Sequence, residues 1–264
     1  MNQNASWQAP TRLFKGWSDA QNVVSLIRAR GPRGALREMR SAALYRLAAQ
    51  EGRRFDKAYG VETNELVRLA NLTLRSSRQV VESPNYVPSF GSMLRLAIRQ
   101  LPRDLNEYVF IDMGSGKGRV LLTAAQFEFK RVIGVEFAEE LHEQAQRNIS
   151  TFSGPRRTRD IQSVLSDARD FEIPDEKCVI YIFGAIAQYA ELIEVVLRNL
   201  EGSYSRVPRA MCVVMLNVEA EPIIRKFPVF AEFTVPRTVA DLILRRIAGL
   251  RIFATAEASR AGRT

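Results

Sequence analysis

Two apolar rhythms divide this chain. Short continuous runs at 108–111, 130–136, 178–183 and 210–216 are rich in aromatic and β-branched residues, which predicts buried strands. Residues 161–168 read as a further strand and its exit, and 250–254 as a last one. Between these runs, apolar residues recur every three or four positions. Leu94, Leu96, Ile98 and Leu101 predict a helix over 91–101 that Pro102 ends. The same spacing predicts helices over 138–149, 188–200 and 240–247. Upstream, Val23, Val24, Leu26 and Ile27 mark one side of a helix over 17–30. Gly31-Pro32-Arg33-Gly34 breaks it, and a second helix is predicted over 35–52. Residues 1–16 read as irregular, and 217–236, with three prolines, as mixed. Strands alternating with helices from residue 108 onward predict a parallel sheet covered on both faces.

Candidate chemistry gathers where the first of these strands ends. The stretch Tyr108-Val-Phe-Ile-Asp-Met-Gly-Ser-Gly-Lys-Gly-Arg119 carries Gly114, Gly116 and Gly118 and runs into the helix-like Val120-Leu121-Leu122. A strand, a tight glycine turn and a helix start make the layout of a nucleotide-cofactor loop. Glycine supplies backbone angles that a Cβ forbids and lets a ligand approach the main chain. A dinucleotide fingerprint needs G-x-G-x-x-G, but here the third glycine comes one place early and position 119 is Arg. No Gly-Lys-Ser/Thr follows, which excludes a Walker loop. The second strand ends in Glu136, twenty residues after Gly116. A carboxylate at that place has two oxygens that can face both hydroxyls of a ribose.

The pattern Asp112-x-Gly114-x-Gly116-x-Gly118 resembles motif I of class I S-adenosylmethionine (SAM) methyltransferases. Phe55-Asp56-Lys57-Ala58-Tyr59-Gly60-Val61-Glu62-Thr63 is similar to the F-D-x-x-[YF]-G-V-[DE]-T found ahead of motif I in a little-characterised bacterial group of these enzymes. Tyr86-Val87-Pro88-Ser89 resembles their Y-x-P-[ST] lead-in, and the glycine loop is also similar to that of non-SET lysine methyltransferases. The resemblance implies an α/β, Rossmann-like class I methyltransferase sheet with helices on both faces and a helical N-terminal extension. It divides the chain into a basic helical extension at 1–54, a methyltransferase domain at 55–256 and a basic tail at 257–264. It implies SAM as cofactor, with contacts from Asp112, Gly114, Ser115, Gly116 and Gly118, and from Glu136 and Phe137. Asp167 would accept from the adenine amine while the Ala168 amide faces a ring nitrogen. Tyr86 and Ser89 would border the site, and Phe183 would lie near the transferable methyl. The sequence after the fourth strand, Phe183-Gly184-Ala185-Ile186, is neither [DN]-P-P-[YF] nor N-P-F, so no acceptor carries over with the resemblance.

In this chemistry the sulfonium already activates the methyl, so the enzyme aligns a nucleophile and removes a proton. No metal or covalent residue is required, and no catalytic residue is identified. Tyr59, Glu62 and Tyr86 are candidates on the substrate side. Among acceptors a protein lysine comes first, then a small molecule, then RNA. The alternatives are a nicotinamide-dependent oxidoreductase and a non-catalytic SAM-binding protein.

Composition changes this picture little. The chain of 264 residues is 46% hydrophobic and 25% charged, as in an ordinary globular protein. No apolar run approaches the roughly 18–20 residues that span a bilayer, and no secretory signal is visible at the start. Cys178 and Cys212 fall in predicted strands as buried thiols, which fits a reducing cytoplasm. The lone histidine, His142, gives little basis for a metal site and reads as a surface or packing residue. Charge is uneven. The net of +9 comprises +7 over residues 1–60 and +5 over 225–264, leaving −3 for the middle. Basic flanks can attract nucleic acid, although few aromatics are interleaved as stacking platforms.

Overall fold

The computed structural model describes residues 20–65, 67, 72–73, 89–183, 190–216, 221–233 and 249–261. Helix α1, Ala20–Tyr59, comprises two helical runs separated at Gly31, whose φ of 69° only glycine adopts readily. Pro32 then opens the second run, where its missing N–H costs nothing. That run passes through Gly52, the predicted stop, and ends at Gly60 with φ 67°. The elements that follow are α2 (Gly91–Ile98), a 3-10 turn (Leu105–Glu107), β1 (Val109–Met113), α3 (Arg119–Ala124) and β2 (Arg131–Glu136). Next come α4 (Glu139–Thr151), β3 (Ile161–Leu165), β4 (Cys178–Phe183), α5 (Ala190–Arg206) and β5 (Met211–Leu216). Then α6 (Glu221–Ile224), β6 (Ala231–Glu232), β7 (Arg251–Ala254) and α7 (Ala256–Ala261) complete the described elements.

The seven strands form one sheet in the order β3-β2-β1-β4-β5-β7-β6. β1 to β5 pair in parallel, as the continuous apolar runs predict. β7 enters between β5 and β6 and runs antiparallel to both, so the sheet is mixed and not wholly parallel. This is a Rossmann-like sheet of the class I methyltransferase type. Residues 257–261 of the expected tail lie in α7, where Ala258 is buried. The helix expected over 240–247 lies outside the described residues.

Strand alternation sorts the core into two layers. Val109, Ile111 and Met113 face Ile193, Val196, Leu197 and Leu200 of α5. Phe110 faces the other way, with Leu94 and Ile98 of α2 and Leu121 of α3. Asp112 follows at the next position on that second face, at the upper end of β1. The glycine turn lies tightly over β2. A Cβ at Gly134 would stand 2.6 Å from both Ser115 Oγ and Leu121 Cδ1. Gly134→Ala should therefore cost about 1–3 kcal/mol of stability through overpacking, read as a lowered denaturant midpoint.

Cys178 and Cys212 are free and wholly buried on neighbouring strands. Burial pushes the Cys178 thiol up to about 12 and also raises that of Cys212. The thiolate is the reactive form, so the native protein should show no fast-reacting thiol. Two should titrate with a colorimetric disulfide reagent once it is denatured.

Candidate active site

The loop between β1 and α3 holds all three of its glycines at positive φ: Gly114 at 88°, Gly116 at 52° and Gly118 at 83°. A Cβ at Gly114 would meet nothing within 4 Å, so the main chain there borders open space. That space is a cleft lined by Ser89, Asp112, Gly114, Ser115, Arg119, Val120 and Phe183. It sits beyond the carboxyl ends of β1 and β4, where open parallel sheets bind ligands.

Two carboxylates lie under this loop, and both are nearly inaccessible. Glu136 Oε2 accepts from the Gly116 amide at 2.7 Å. Its Oε1 accepts from the amides of Phe137 at 3.0 Å and Ala138 at 2.9 Å. Burial raises the Glu136 pKa, and these three N–H groups hold it back. Asp112 is 2% exposed, and its Oδ2 has no hydrogen-bond partner among the described residues. Burial first, and the Glu136 charge second, push its carboxyl well above the usual carboxylate range. Ser115 Oγ is likewise buried without a partner among the described residues. A buried polar group left unpaired costs stability unless a ligand completes it.

Asp167 lies beside this pair, past the end of β3, where the Ser166 amide donates to the Glu136 carbonyl at 2.9 Å. Its carboxylate takes the Arg169 amide and Nε, each at 2.9 Å on Oδ1, and the Arg169 Nη2 on Oδ2. Ala168 packs against the α5 side of the core. The structure thus brings Asp112, Gly114, Ser115 and Phe183 into one cleft and sets Glu136 directly beneath Gly116. It does not show Asp167 or Ala168 in that cleft. Tyr86 and residues 184–186 lie outside the described residues.

Of the substrate-side candidates, Tyr59 is placed elsewhere. Its ring packs on Phe55 and Phe152, with centroids 4.9 and 5.1 Å away, next to the loop that leaves α4. Tyr59, a candidate on the substrate side, instead fills apolar space in an outer cluster with Val61 and Leu122. Glu62 is exposed, and its main chain is tied to Asn148 of α4. His142 Nδ1 lies 2.8 Å from Ser163 Oγ, and burial lowers its pKa. Among the described residues no group of His, Cys, Asp or Glu could hold a metal ion. Nor is any described helix long and apolar enough to cross a membrane.

Two further residues contribute that no sequence motif marks. Tyr181 sits on β4 in register with Asp112, and its hydroxyl lies 2.5 Å from Ser89 Oγ at the edge of the cleft. Arg119 is 3% exposed although its side chain ends in a guanidinium. Its Nε donates to Thr63 Oγ1 at 2.7 Å and its Nη2 to Asn64 Oδ1 at 3.1 Å. A charged residue at the start of an otherwise apolar helix was the available signal.

Residues 110–201 match a family model described as a methyltransferase domain. No curated protein matches the chain. Among solved structures, an RNA methyltransferase from Salinibacter ruber in complex with S-adenosyl-L-homocysteine is 15% identical, with a TM-score of 0.43. The similarity covers 64% of this chain and 92% of that one. A predicted N6-adenine-specific DNA methylase from Listeria monocytogenes is 14% identical, with a TM-score of 0.46, over 69% of this chain and 53% of the other. Magnesium protoporphyrin IX methyltransferase from Synechocystis PCC 6803, with bound SAM, is 13% identical, with a TM-score of 0.39, over 62% and 74%. These are distant similarities.

Proposed function

We propose that this chain, whose residues 110–201 match the methyltransferase domain, is a SAM-dependent methyltransferase. One observation carries the choice of cofactor. The Gly116 amide, which a dinucleotide fold would aim at a pyrophosphate, donates to Glu136 instead. Asp112, buried under the loop, would repel a pyrophosphate when ionised, and a cation would favour that ionised form. That opposes the nicotinamide reading.

Bound SAM supplies a methyl group already activated by its sulfonium. The residues of this chain hold and orient it. Glu136 Oε2 takes one amide and keeps a second lone pair, which can accept from a ribose hydroxyl. Asp112 Oδ2 and Ser115 Oγ offer unpaired polar atoms to the charged amino-acid end. Gly114 leaves room for close approach to the main chain. Asp167 lies outside the cleft lining, and its Oδ1 already takes two Arg169 donors, so it would have to share an oxygen to serve the adenine amine. Phe183 closes the cleft at the end of β4, beside the methyl.

A protein lysine heads the acceptors, on the likeness of the Asp112–Gly118 loop to non-SET lysine methyltransferases. A small molecule and then RNA follow it. A reducing cytoplasm fits the two unpaired thiols. Incubation with methyl-labelled SAM and cell extract, fractionated into protein, small molecules and RNA, tests this reading. Label in the protein fraction, on lysine, is the expected result. Transfer to no fraction, despite SAM binding, would favour the non-catalytic alternative.

A further inference from the structure

The N-terminal lead-in and the glycine loop meet in a buried polar clasp. Asp56, near the end of α1, accepts from the Thr63 and Asn64 amides, each at 2.8 Å, and from Thr63 Oγ1 at 2.5 Å. This folds 60–64 back over the helix. Thr63 and Asn64 then receive the Arg119 guanidinium, with Asp56 Oδ1 3.9 Å from Nη2. Gly52 makes room for it. A Cβ there would stand 2.1 Å from Asn64 Oδ1 and 2.4 Å from both Arg119 Nη atoms. A second tie lies alongside: Asn148 Nδ2 donates to the carbonyls of Glu62 at 3.2 Å and Lys117 at 2.9 Å.

These contacts grip the outer half of the loop, Lys117 to Arg119. The inner half is held by β2, through Gly114 and Ser115 on the Val135 carbonyl and Gly116 on Glu136. Helix energetics alone would not choose Arg119. A cation at the first turn of a helix opposes the helix dipole, and burying a guanidinium is costly unless it is well bonded. The clasp also directs the Arg119 fork to Thr63 and Asn64. Asp112, in the same cleft, keeps an open oxygen.

We propose that Arg119 is a positioning residue, through which the Asp56–Thr63–Asn64 turn of the lead-in fixes the shape of the cofactor loop and keeps a cation off Asp112. The affinity consequence rests on the SAM reading above; the effect on the loop does not. The test is hydrogen exchange across 114–122 in the full chain, with SAM calorimetry alongside. Thr63→Val should speed exchange there at least fivefold while the sheet strands keep their wild-type protection, and should weaken SAM binding about tenfold. Thr63→Ser, which keeps the hydroxyl, should restore both. Asn64→Ala, at a half-buried position, should shift exchange in the same direction and serves if Thr63→Val fails to fold. Wild-type exchange across the loop in a folded Thr63→Val or Asn64→Ala variant would overturn the proposal, whatever the affinity. If the wild type binds no SAM but the variant loop still loosens, the cofactor reading falls and this inference stands.

Discussion

Replacing Glu136 by alanine is expected to weaken SAM binding by at least a hundredfold. The side chain holds the Gly116, Phe137 and Ala138 amides and offers its remaining lone pair upward. A hydrogen bond to a charged group is worth about 1.5–3 kcal/mol. Losing a ribose contact and the loop tie together would cost about 3–6 kcal/mol on that scale. The cost also includes three amides left to find water in a buried place. Glu136→Gln separates the two contributions. Its amide oxygen can still accept from main-chain N–H groups, but it is uncharged, so the loss should be smaller. Calorimetry with SAM on both variants reads the difference, and wild-type affinity in Glu136→Ala would remove the ribose role.

Asp112→Asn is expected to do two opposite things: raise the stability of the unliganded protein and abolish tight SAM binding. The folded-state pKa of Asp112 is raised above its unfolded value. Its contribution to stability is therefore present at low pH and lost as pH rises through the raised pKa. Above that point the fold carries a buried charge next to Glu136, and asparagine removes it. A cationic ligand reverses this logic, because it favours the ionised carboxyl. SAM binding should then release a proton from Asp112 and weaken as pH falls through its raised pKa. Calorimetry in buffers of different ionisation enthalpy would detect the proton, and thermal melting would detect the gain in stability. A variant that melts lower and still binds SAM would contradict both halves.

Much of this was legible in the chain. β4 coincides with the apolar run 178–183, β2 and β5 lie within their predicted spans, and β1 overlaps its run but continues two residues past it to Met113, because strands buried on both faces need continuous apolar residues. The glycine spacing and the acid ending β2 announced the cleft for the same local reason: each is a short-range demand of backbone and ligand. β6 escaped notice since two exposed residues, Ala231 and Glu232, carry no periodicity. The antiparallel entry of β7 is a fact of topology that a run of four residues cannot encode. Gly52 was misleading as a helix stop because its reason lies elsewhere, in the side chains of Asn64 and Arg119. The clasp itself was hidden for the same cause. Its partners stand 55 and 56 residues apart in Arg119 and the lead-in, and 86 apart at Asn148 and Glu62. The resemblance marked Asp56 and Thr63 as a motif without saying what they hold.

On the proposed reading, the cleft above Asp112 and Glu136 receives an adenosyl sulfonium and rejects a dinucleotide. Side-by-side calorimetry of the full chain with SAM and with NAD tests it most directly. The account predicts saturable SAM binding with proton release and no heat from NAD. Saturable NAD binding, with none for SAM, would contradict it.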